Sequence, residues 1–229
     1  MTASVLSDKK IVESWKKNAQ PWVSAVRNGE IESRVLVTNE AIVNAVIGCK
    51  PRSVLDLGCG EGWLVRALDK AAIEVLGVDV VPELIASAEK EGGGRFRALS
   101  YEELTAYVLK ESFDVVVCNF SLFGKAAVEQ VFKHVPSLLN MAGYFIIQTI
   151  HPRVGWGESA YVDGWREGSW CGFNDAFSDP APWYFRTLET WQSLFEQNGF
   201  KLALTLEPEN PLSKEPASII FVGAINKSQ

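Results

Sequence analysis

The stretch at residues 54–62, VLDLGCGEG, constrains the fold of this chain more than any other feature. Residues 53–57 form a mostly apolar run, which is typical of a strand covered on both faces of a parallel sheet. Three glycines at alternate positions follow, and glycine lets the backbone adopt positive φ and approach a ligand closely. A helical pattern begins at Trp63, so its free amides face the same side. This strand, turn and helix predict a nucleotide-binding corner.

The spacing of the glycines restricts the ligand. A dinucleotide fingerprint, Gly-x-Gly-x-x-Gly, would need its third glycine at position 63, where strand and helix pack closely. The chain has Trp63 there and Gly62 before it. This difference disfavours NAD or FAD as the ligand.

Three further segments follow in order, at residues 77–80, 113–119 and 143–147. Together with the glycine turn after Asp56, they resemble the motifs of class I S-adenosylmethionine-dependent methyltransferases over roughly residues 50 to 150. A narrower resemblance, to O-methyltransferases of ubiquinone biosynthesis, includes the Trp-rich helices before the glycine turn. The resemblance implies S-adenosylmethionine as cofactor and S-adenosylhomocysteine as product.

Apolar strands and helical patterns alternate after residue 53, which predicts an α/β fold with a doubly wound parallel sheet. The resemblance implies a Rossmann-like, seven-stranded sheet of order 3-2-1-4-5-7-6, with the last strand antiparallel and helices on both faces. We expect strands at 53–57, 74–79, 95–99, 113–119, 143–150, 200–206 and 218–222, and core helices near 62–70, 82–91, 101–109 and 125–140.

The length of 229 residues suits one domain. We divide residues 1–229 into a helical cap at 1–50, a cofactor-binding core at 51–150, an aromatic lid-like insertion at 151–186, and a C-terminal helix and strand pair at 187–229. The pattern predicts a long helix at 32–47 within the cap and an irregular conformation for the insertion. In the family that the chain resembles, segments like the cap cover the cofactor and help to form the substrate chamber.

Charge and composition restrict the partners. The net charge is −6 and no cluster of lysine and arginine stands out, so we expect no nucleic acid. No stretch approaches the ~20 apolar residues of a membrane span, and residues 1–10 lack the apolar core of a signal peptide. The four cysteines are scattered, which indicates neither a disulfide framework nor a metal site. We therefore expect a cytoplasmic enzyme, monomeric or homodimeric, that acts on a small molecule.

Two acidic residues are the leading candidates for holding the cofactor. The resemblance assigns Asp56 to its amino-acid portion, directly or through the glycine-loop amides, although Asp56 could merely brace the turn. Asp79 ends the second strand and can accept both ribose hydroxyls, or it could cap the helix that begins near Pro82. The backbone around these acids would also line the cofactor site, at Gly58, Cys59, Gly60 and Val80.

Other cofactor contacts are less constrained by the sequence. Ser100 and Tyr101 could bind and stack on the adenine, or Ser100 could be a helix cap with Glu103 completing a capping box. Asn119 and Phe120 follow the fourth strand, where relatives line the methionine portion and the transfer chamber, but Asn119 could be a turn residue. Arg34 resembles an arginine that meets the cofactor carboxylate, or it could be an exposed helix residue.

The acceptor side rests on one histidine and a set of aromatic residues. His151 leaves the fifth strand and could remove a proton from the acceptor, or it could simply end the strand. The aromatic residues of the insertion could cover an aromatic or isoprenoid acceptor, or form a satellite core: Trp156, Tyr161, Trp165, Trp170, Trp183 and Tyr184. We expect oxygen as the accepting atom, with nitrogen or carbon second. A nicotinamide-dependent oxidoreductase and a noncatalytic cofactor-binding protein stay open as alternatives.

Overall fold

The computed structural model describes residues 6–155, 157 and 160–225. Trp156 lies outside the described residues. The strands of the described part are β1 (Ser53–Leu57), β2 (Glu74–Asp79), β3 (Arg95–Ala98), β4 (Phe113–Asn119), β5 (Leu139–Thr149), β6 (Gly164–Arg166), β7 (Trp183–Phe185), β8 (Phe200–Leu206) and β9 (Ile219–Ile225). The helices are α1 (Asp8–Lys17), α2 (Ala19–Arg27), α3 (Asn39–Gly48), α4 (Trp63–Asp69), α5 (Pro82–Glu91), α6 (Ala106–Leu109), α7 (Ala126–Leu138), α8 (Pro152–Gly155) and α9 (Leu188–Gln197).

The main sheet confirms the predicted topology. Its order is β3-β2-β1-β4-β5-β9-β8, which is 3-2-1-4-5-7-6 when only its own strands are counted. β1 to β5 pair in parallel, and β9 runs antiparallel to both of its neighbours. β6 and β7 form a separate two-stranded antiparallel sheet within residues 151–186.

Buried side chains alternate between the two faces of the sheet, because successive residues of a strand point to opposite sides. One face packs Leu55, Val116 and Phe145 with residues of α7 and α9. The other packs Val54, Val117 and Ile146 with residues of α3, α4 and α5. With both faces covered by helices, the carboxyl edge of the sheet is left for a ligand.

Three local predictions differ from the structure. The predicted helix at 101–109 is wrong in extent, because α6 starts only at Ala106. Glu103 accepts hydrogen bonds from the backbone N–H and the hydroxyl of Ser100, at 3.1 and 2.9 Å, and this closes a turn instead of a helix. The long helix before β1 opens with a π-helical turn at Arg34–Thr38. The stretch at 151–186, expected to be irregular, contains α8 and the β6–β7 hairpin.

The first two helices lie over the carboxyl edge of the sheet. Ala19 and Val23 of α2 pack with Val81 and Leu84 at the start of α5. α1 reaches the other side of the edge, where the Asp8 carboxylate accepts from the backbone N–H groups of Ala126 and Ala127 at 3.3 and 3.0 Å. Within the described residues, no helix is both long and apolar enough to cross a membrane.

Candidate functional site

The glycine turn is shaped by three left-handed residues. Gly58, Gly60 and Gly62 have φ values of +74°, +58° and +84°, which L side chains rarely adopt. A Cβ on Gly58 would overlap Ser121, and one on Gly62 would lie 2.8 Å from the ring of Phe96. A Cβ on Gly60 would come no nearer than 3.4 Å to Trp22. Gly58 and Gly62 are therefore needed for packing, whereas Gly60 has room for a Cβ in van der Waals contact with Trp22.

Asp79 connects the second strand to this turn. Its carboxylate accepts from the backbone N–H of Gly60 at 2.9 Å and from that of Val81 at 2.9 Å. Burial raises the pKa of Asp79, although these hydrogen bonds oppose the rise. Each oxygen keeps acceptor capacity for a further donor.

Asp56 lies in β1, two residues before Gly58, and is 2% exposed. Burial raises the pKa of Asp56 to about 8, the charge of Asp79 adds to the rise, and Arg34 opposes it. A carboxyl group with this pKa can change its ionisation when a charged ligand arrives near neutral pH.

Glu61 anchors the turn to two helices. Its carboxylate is fully buried and accepts from Arg27 Nε of α2 at 3.0 Å and from Arg66 Nη2 of α4 at 2.7 Å. Arg27 also pairs with Glu91 at the end of α5, at 3.0 Å. The turn and α2 are therefore held as one unit.

A cavity of about 510 Å³ opens above the turn, within the range of ligand pockets. It is bounded by the carboxyl ends of β1, β2 and β4 and by α1 and α2. Its walls include most of the predicted cofactor residues: Arg34, Gly58, Cys59, Gly60, Asp79, Val80, Ser100, Tyr101, Asn119 and Phe120. Asp56 is not part of the wall.

Two polar groups of the wall have no hydrogen-bond partner among the described residues, Arg34 Nη2 and Asn119 Oδ1. Arg34 is 8% exposed, and its guanidinium lies 5.4 Å from the ring centroid of Trp22 and 4.9 Å from that of Trp63. Burial lowers the pKa of Arg34 to about 10, while Glu61 and Asp56 oppose the shift. Unpaired buried polar groups are costly, so a free cation and a free acceptor on one cavity wall indicate a ligand with complementary groups.

Ser100 and Tyr101 line the cavity beside Asp79. The hydroxyl of Ser100 donates to Glu103. Ser100 and Glu103 therefore contact each other as the predicted capping box requires, although no helix starts there. The hydroxyl of Tyr101 donates to the carbonyl of Ser121 at 3.3 Å, and burial raises the pKa of Tyr101 well above its usual range. Tyr101 is thus a neutral ring held against the cavity.

Cys59 and Phe120 shape the wall through packing and backbone geometry. A Cβ on Gly77 would lie 2.9 Å from Cys59 Sγ, so this thiol fills a tight gap between turn and strand. Phe120 has a φ of +50°, which is uncommon outside glycine, and its N–H donates to the carbonyl of Gln148 at 2.9 Å. Strained residues of this kind often occur at functional sites.

The aromatic roof of the cavity was not predicted from the sequence. Trp15 of α1, Trp22 of α2, Trp63 of α4 and Phe123 line the cavity, and none was predicted as a site residue. Trp15 and Trp22 meet edge to face at 5.0 Å, and Trp15 lies 6.5 Å from the nearly parallel ring of Phe123. The sequence feature that could have indicated this roof is the pair of tryptophans, seven residues apart, before the glycine turn. Their position fits the expected role of the cap as a cover for the cofactor.

His151 is 1% exposed and does not line the cavity. Its Nδ1 accepts from the backbone N–H of Arg153 at 3.1 Å, so the ring proton of the neutral form lies on Nε2. Nε2 lies 3.6 Å from Glu207 Oε1. Nδ1, the nitrogen that could accept a proton, is therefore already hydrogen-bonded to the backbone. His151 also lies apart from the predicted cofactor residues that line the cavity.

The described aromatic residues of the insertion also lie outside the cavity wall. Trp165 and Tyr184 pack edge to face across the β6–β7 hairpin. Tyr161 packs against Phe185, and its hydroxyl accepts from the N–H of Leu188 at 2.9 Å. The remaining two also pack within the protein: Trp170 against Trp15 and Phe177, and Trp183 against Phe185. This arrangement corresponds to the satellite-core alternative for these residues.

Among the residues that the structure describes, no three His, Cys, Asp or Glu side chains cluster as a metal site requires.

A family model described as "Methyltransferase domain" matches residues 39–205. The curated relatives include the ubiquinone biosynthesis O-methyltransferase of Methylococcus capsulatus, 29% identical over 113 residues, which cover 47% of each chain. The enzyme of the same name from Ralstonia nicotianae is 30% identical over 104 residues, 44% of each chain. The chain thus spans about half the length of these curated relatives.

Two solved structures resemble the whole chain. Magnesium protoporphyrin IX methyltransferase from Synechocystis, with bound S-adenosylmethionine, has a TM-score of 0.64 at 16% identity, covering 99% of this chain and 100% of the other. The 1,6-didemethyltoxoflavin-N1-methyltransferase of Burkholderia thailandensis has a TM-score of 0.63 at 20% identity, covering 99% and 94%. At these identities the likeness shows a shared fold.

Proposed function

The chain belongs to the methyltransferase domain family, and from this premise we propose that it is a class I S-adenosylmethionine-dependent methyltransferase acting on an oxygen atom of a small-molecule acceptor. The observation that carries the proposal is the cavity that joins the glycine turn and Asp79 to a chamber beneath α1, which both apolar and charged side chains of that helix line. Direct methyl transfer requires cofactor and acceptor to share one chamber.

The amino-acid end of the cofactor would lie between Arg34 and Asn119. The unpaired guanidinium nitrogen of Arg34 suits a carboxylate, and the free Oδ1 of Asn119 suits an ammonium group. Gly60 would let the ligand lie against the main chain, because the nearest atom to a Cβ placed there is Trp22 Nε1 at 3.4 Å. Asp56, which precedes the turn in β1, would lose its proton as the cationic part of the ligand binds and would then supply a negative charge near it.

The nucleoside end would lie along β2 and the segment after β3. Both oxygens of Asp79 can accept from ribose hydroxyls while keeping their backbone hydrogen bonds. Ser100 Oγ, which donates to Glu103, can still accept from an adenine amino group, and the buried ring of Tyr101 can pack against the base. Cys59, Val80 and Phe120 would complete the walls.

Catalysis would rest on positioning and exclusion of water. When bound, S-adenosylmethionine supplies an electrophilic methyl group on its sulfonium. Four apolar residues that line the cavity near α1 would hold an acceptor in line with it and exclude water: Ile11, Val12, Trp15 and Phe123. The net charge of −6 supports a small molecule over nucleic acid as the acceptor.

Oxygen is the first choice of nucleophile because the curated relatives named above are O-methyltransferases by name. One structural neighbour is an N-methyltransferase by name, so nitrogen, and then carbon, follow as alternatives. A cytoplasmic location and a monomer or homodimer are part of the same proposal.

The decisive experiment combines binding with turnover. Calorimetry should show S-adenosylmethionine binding to the wild-type protein, and Asp79→Asn should weaken it. Release of S-adenosylhomocysteine is then followed against phenols, quinone precursors, carboxylic acids and amines, with the methylated atom assigned by NMR. Binding of NADH without S-adenosylmethionine would overturn the proposal in favour of an oxidoreductase. Cofactor binding with no turnover of any acceptor would favour a noncatalytic protein.

A further inference from the structure

One stripe of helix α1 is attached to a two-residue turn of the insertion, Ser178 and Asp179. Lys10 Nζ donates to Asp179 Oδ1 at 2.6 Å, and Lys17 Nζ pairs with Asp179 Oδ2. Ser14 Oγ donates to the Asp179 carbonyl at 2.6 Å. Since these residues are spaced three and four apart, they share one side of the helix.

The attachment continues to the end of α1. Asn18 Nδ2 donates to the Ser178 carbonyl at 2.8 Å, and Asn18 Oδ1 accepts from the Ser178 N–H at 2.9 Å. Trp170 Nε1 also donates to the Ser178 carbonyl, at 2.9 Å, while its ring packs edge to face on Trp15. The turn therefore connects the insertion to α1 through both hydrogen bonds and ring packing.

The residues of α1 next to this stripe form the cavity roof, with Ile11, Val12 and Trp15 in the wall. Any displacement of α1 from the turn therefore changes the roof. By contrast, α2 is fixed to the glycine turn through Arg27 and the fully buried Glu61. A moving α1 would pivot near Asn18, where α1 ends, and would also have to release the hydrogen bonds of Asp8 to the start of α7.

The contacts at the turn are of two kinds. Ser14 and Asn18 are fully buried, so their hydrogen bonds are insensitive to salt. The side chains of Lys10, Lys17 and Asp179 are 23%, 57% and 29% exposed, so their ion pairs are screened as the ionic strength rises. The two lysines hold the pKa of Asp179 below its usual range, so the ion pairs persist at neutral pH.

We propose that Ser178 and Asp179 form a strap that sets how far helix α1 opens over the cavity, with Asp179 as a positioning residue for the roof. The strap gives the aromatic insertion a role in gating the chamber without contact with the acceptor. The gating of a cofactor rests on the proposed function, whereas the attachment of α1 does not.

The test measures dissociation of S-adenosylhomocysteine by stopped-flow tryptophan fluorescence, because Trp15, Trp22 and Trp63 line the cavity. The wild-type rate should rise between 0.05 and 0.5 M salt. Asp179→Asn should raise the rate at low salt by about two- to fivefold and remove most of the salt dependence. Asp179→Glu should restore part of both. The matched control is Glu111→Gln, which breaks the exposed Arg95–Glu111 ion pair away from the cavity and should behave as wild type.

Amide hydrogen exchange on the ligand-free protein tests the strap independently of cofactor binding. Asp179→Asn should speed exchange across residues 11–18 and leave α2 near Arg27 unchanged, whereas Glu111→Gln should change neither. Wild-type exchange and wild-type dissociation in Asp179→Asn would overturn the strap. If no variant binds S-adenosylhomocysteine, the proposed function fails, and the exchange data still decide whether the strap exists.

Discussion

Replacing Gly60 with alanine should separate ligand binding from folding at the glycine turn. The added Cβ would lie 3.4 Å from Trp22 Nε1, with no closer neighbour, so the fold can accept it. The φ of +58° costs an L residue about 1–2 kcal/mol, and the free energy of unfolding should fall by that amount. The methyl group would also occupy the space through which a ligand reaches the main chain.

We expect Gly60→Ala to weaken binding of S-adenosylhomocysteine at least tenfold, which is about 1.4 kcal/mol. Binding is measured by calorimetry and stability by urea denaturation. Gly199→Ala is the matched control, since Gly199 has a similar φ of +79° and no atom within 4 Å of an added Cβ. It should lose similar stability and keep wild-type affinity. Equal affinities in the two variants would refute the assignment of the turn to the ligand.

Three further perturbations address neighbouring residues. The raised pKa of Asp56 means that the folded state keeps a proton that the unfolded state loses above about pH 4, so the free energy of unfolding should fall as the pH rises from about 4 through 8. Asp56→Asn should flatten this decline when denaturation curves are measured across that range. An unchanged slope would argue against a raised pKa for Asp56. Trp22→Leu should weaken S-adenosylhomocysteine binding about tenfold in calorimetry, because it removes the ring beside Gly60 and Arg34, whereas Trp165→Leu should not. His151→Gln should leave the acidic limb of the pH–rate profile in place, and a flattened limb would establish the histidine as the base.

The sheet and the cofactor corner could be predicted because they depend on local signals. The apolar run before Gly58, the glycine spacing and the acid at position 79 each constrain the backbone within a few residues. Strand order then followed from the resemblance to the family, and the structure has that order. Ten of the predicted cofactor residues line one cavity, and nine of them do so because they lie at or after the ends of neighbouring strands that end at the same edge; the tenth, Arg34, comes from the π-helical turn before α3.

The roof and the insertion could not be predicted, because their contacts are distant in sequence. Asp179 pairs with Lys10, which is 169 positions away in the sequence, and no local pattern indicates such a pairing. The aromatic content of residues 151–186 fits a lid and a satellite core equally well. Only the three-dimensional contacts of these rings with α1 and with each other distinguish the two, and they correspond to a satellite core. Ser100 illustrates a smaller error, since Glu103 was identified as its partner but closes a turn instead of starting a helix.

The ion pairs of Glu61 have a consequence for protein engineering. A buried carboxylate that loses a cationic partner becomes strongly destabilising, so Arg27, Glu61 and Arg66 are expected to covary during evolution. Arg27 belongs to the N-terminal helices, whereas the other two belong to the Rossmann-like core. A chimera that grafts another homologue's first thirty residues onto this core should fold poorly unless the graft carries an arginine at the matching position.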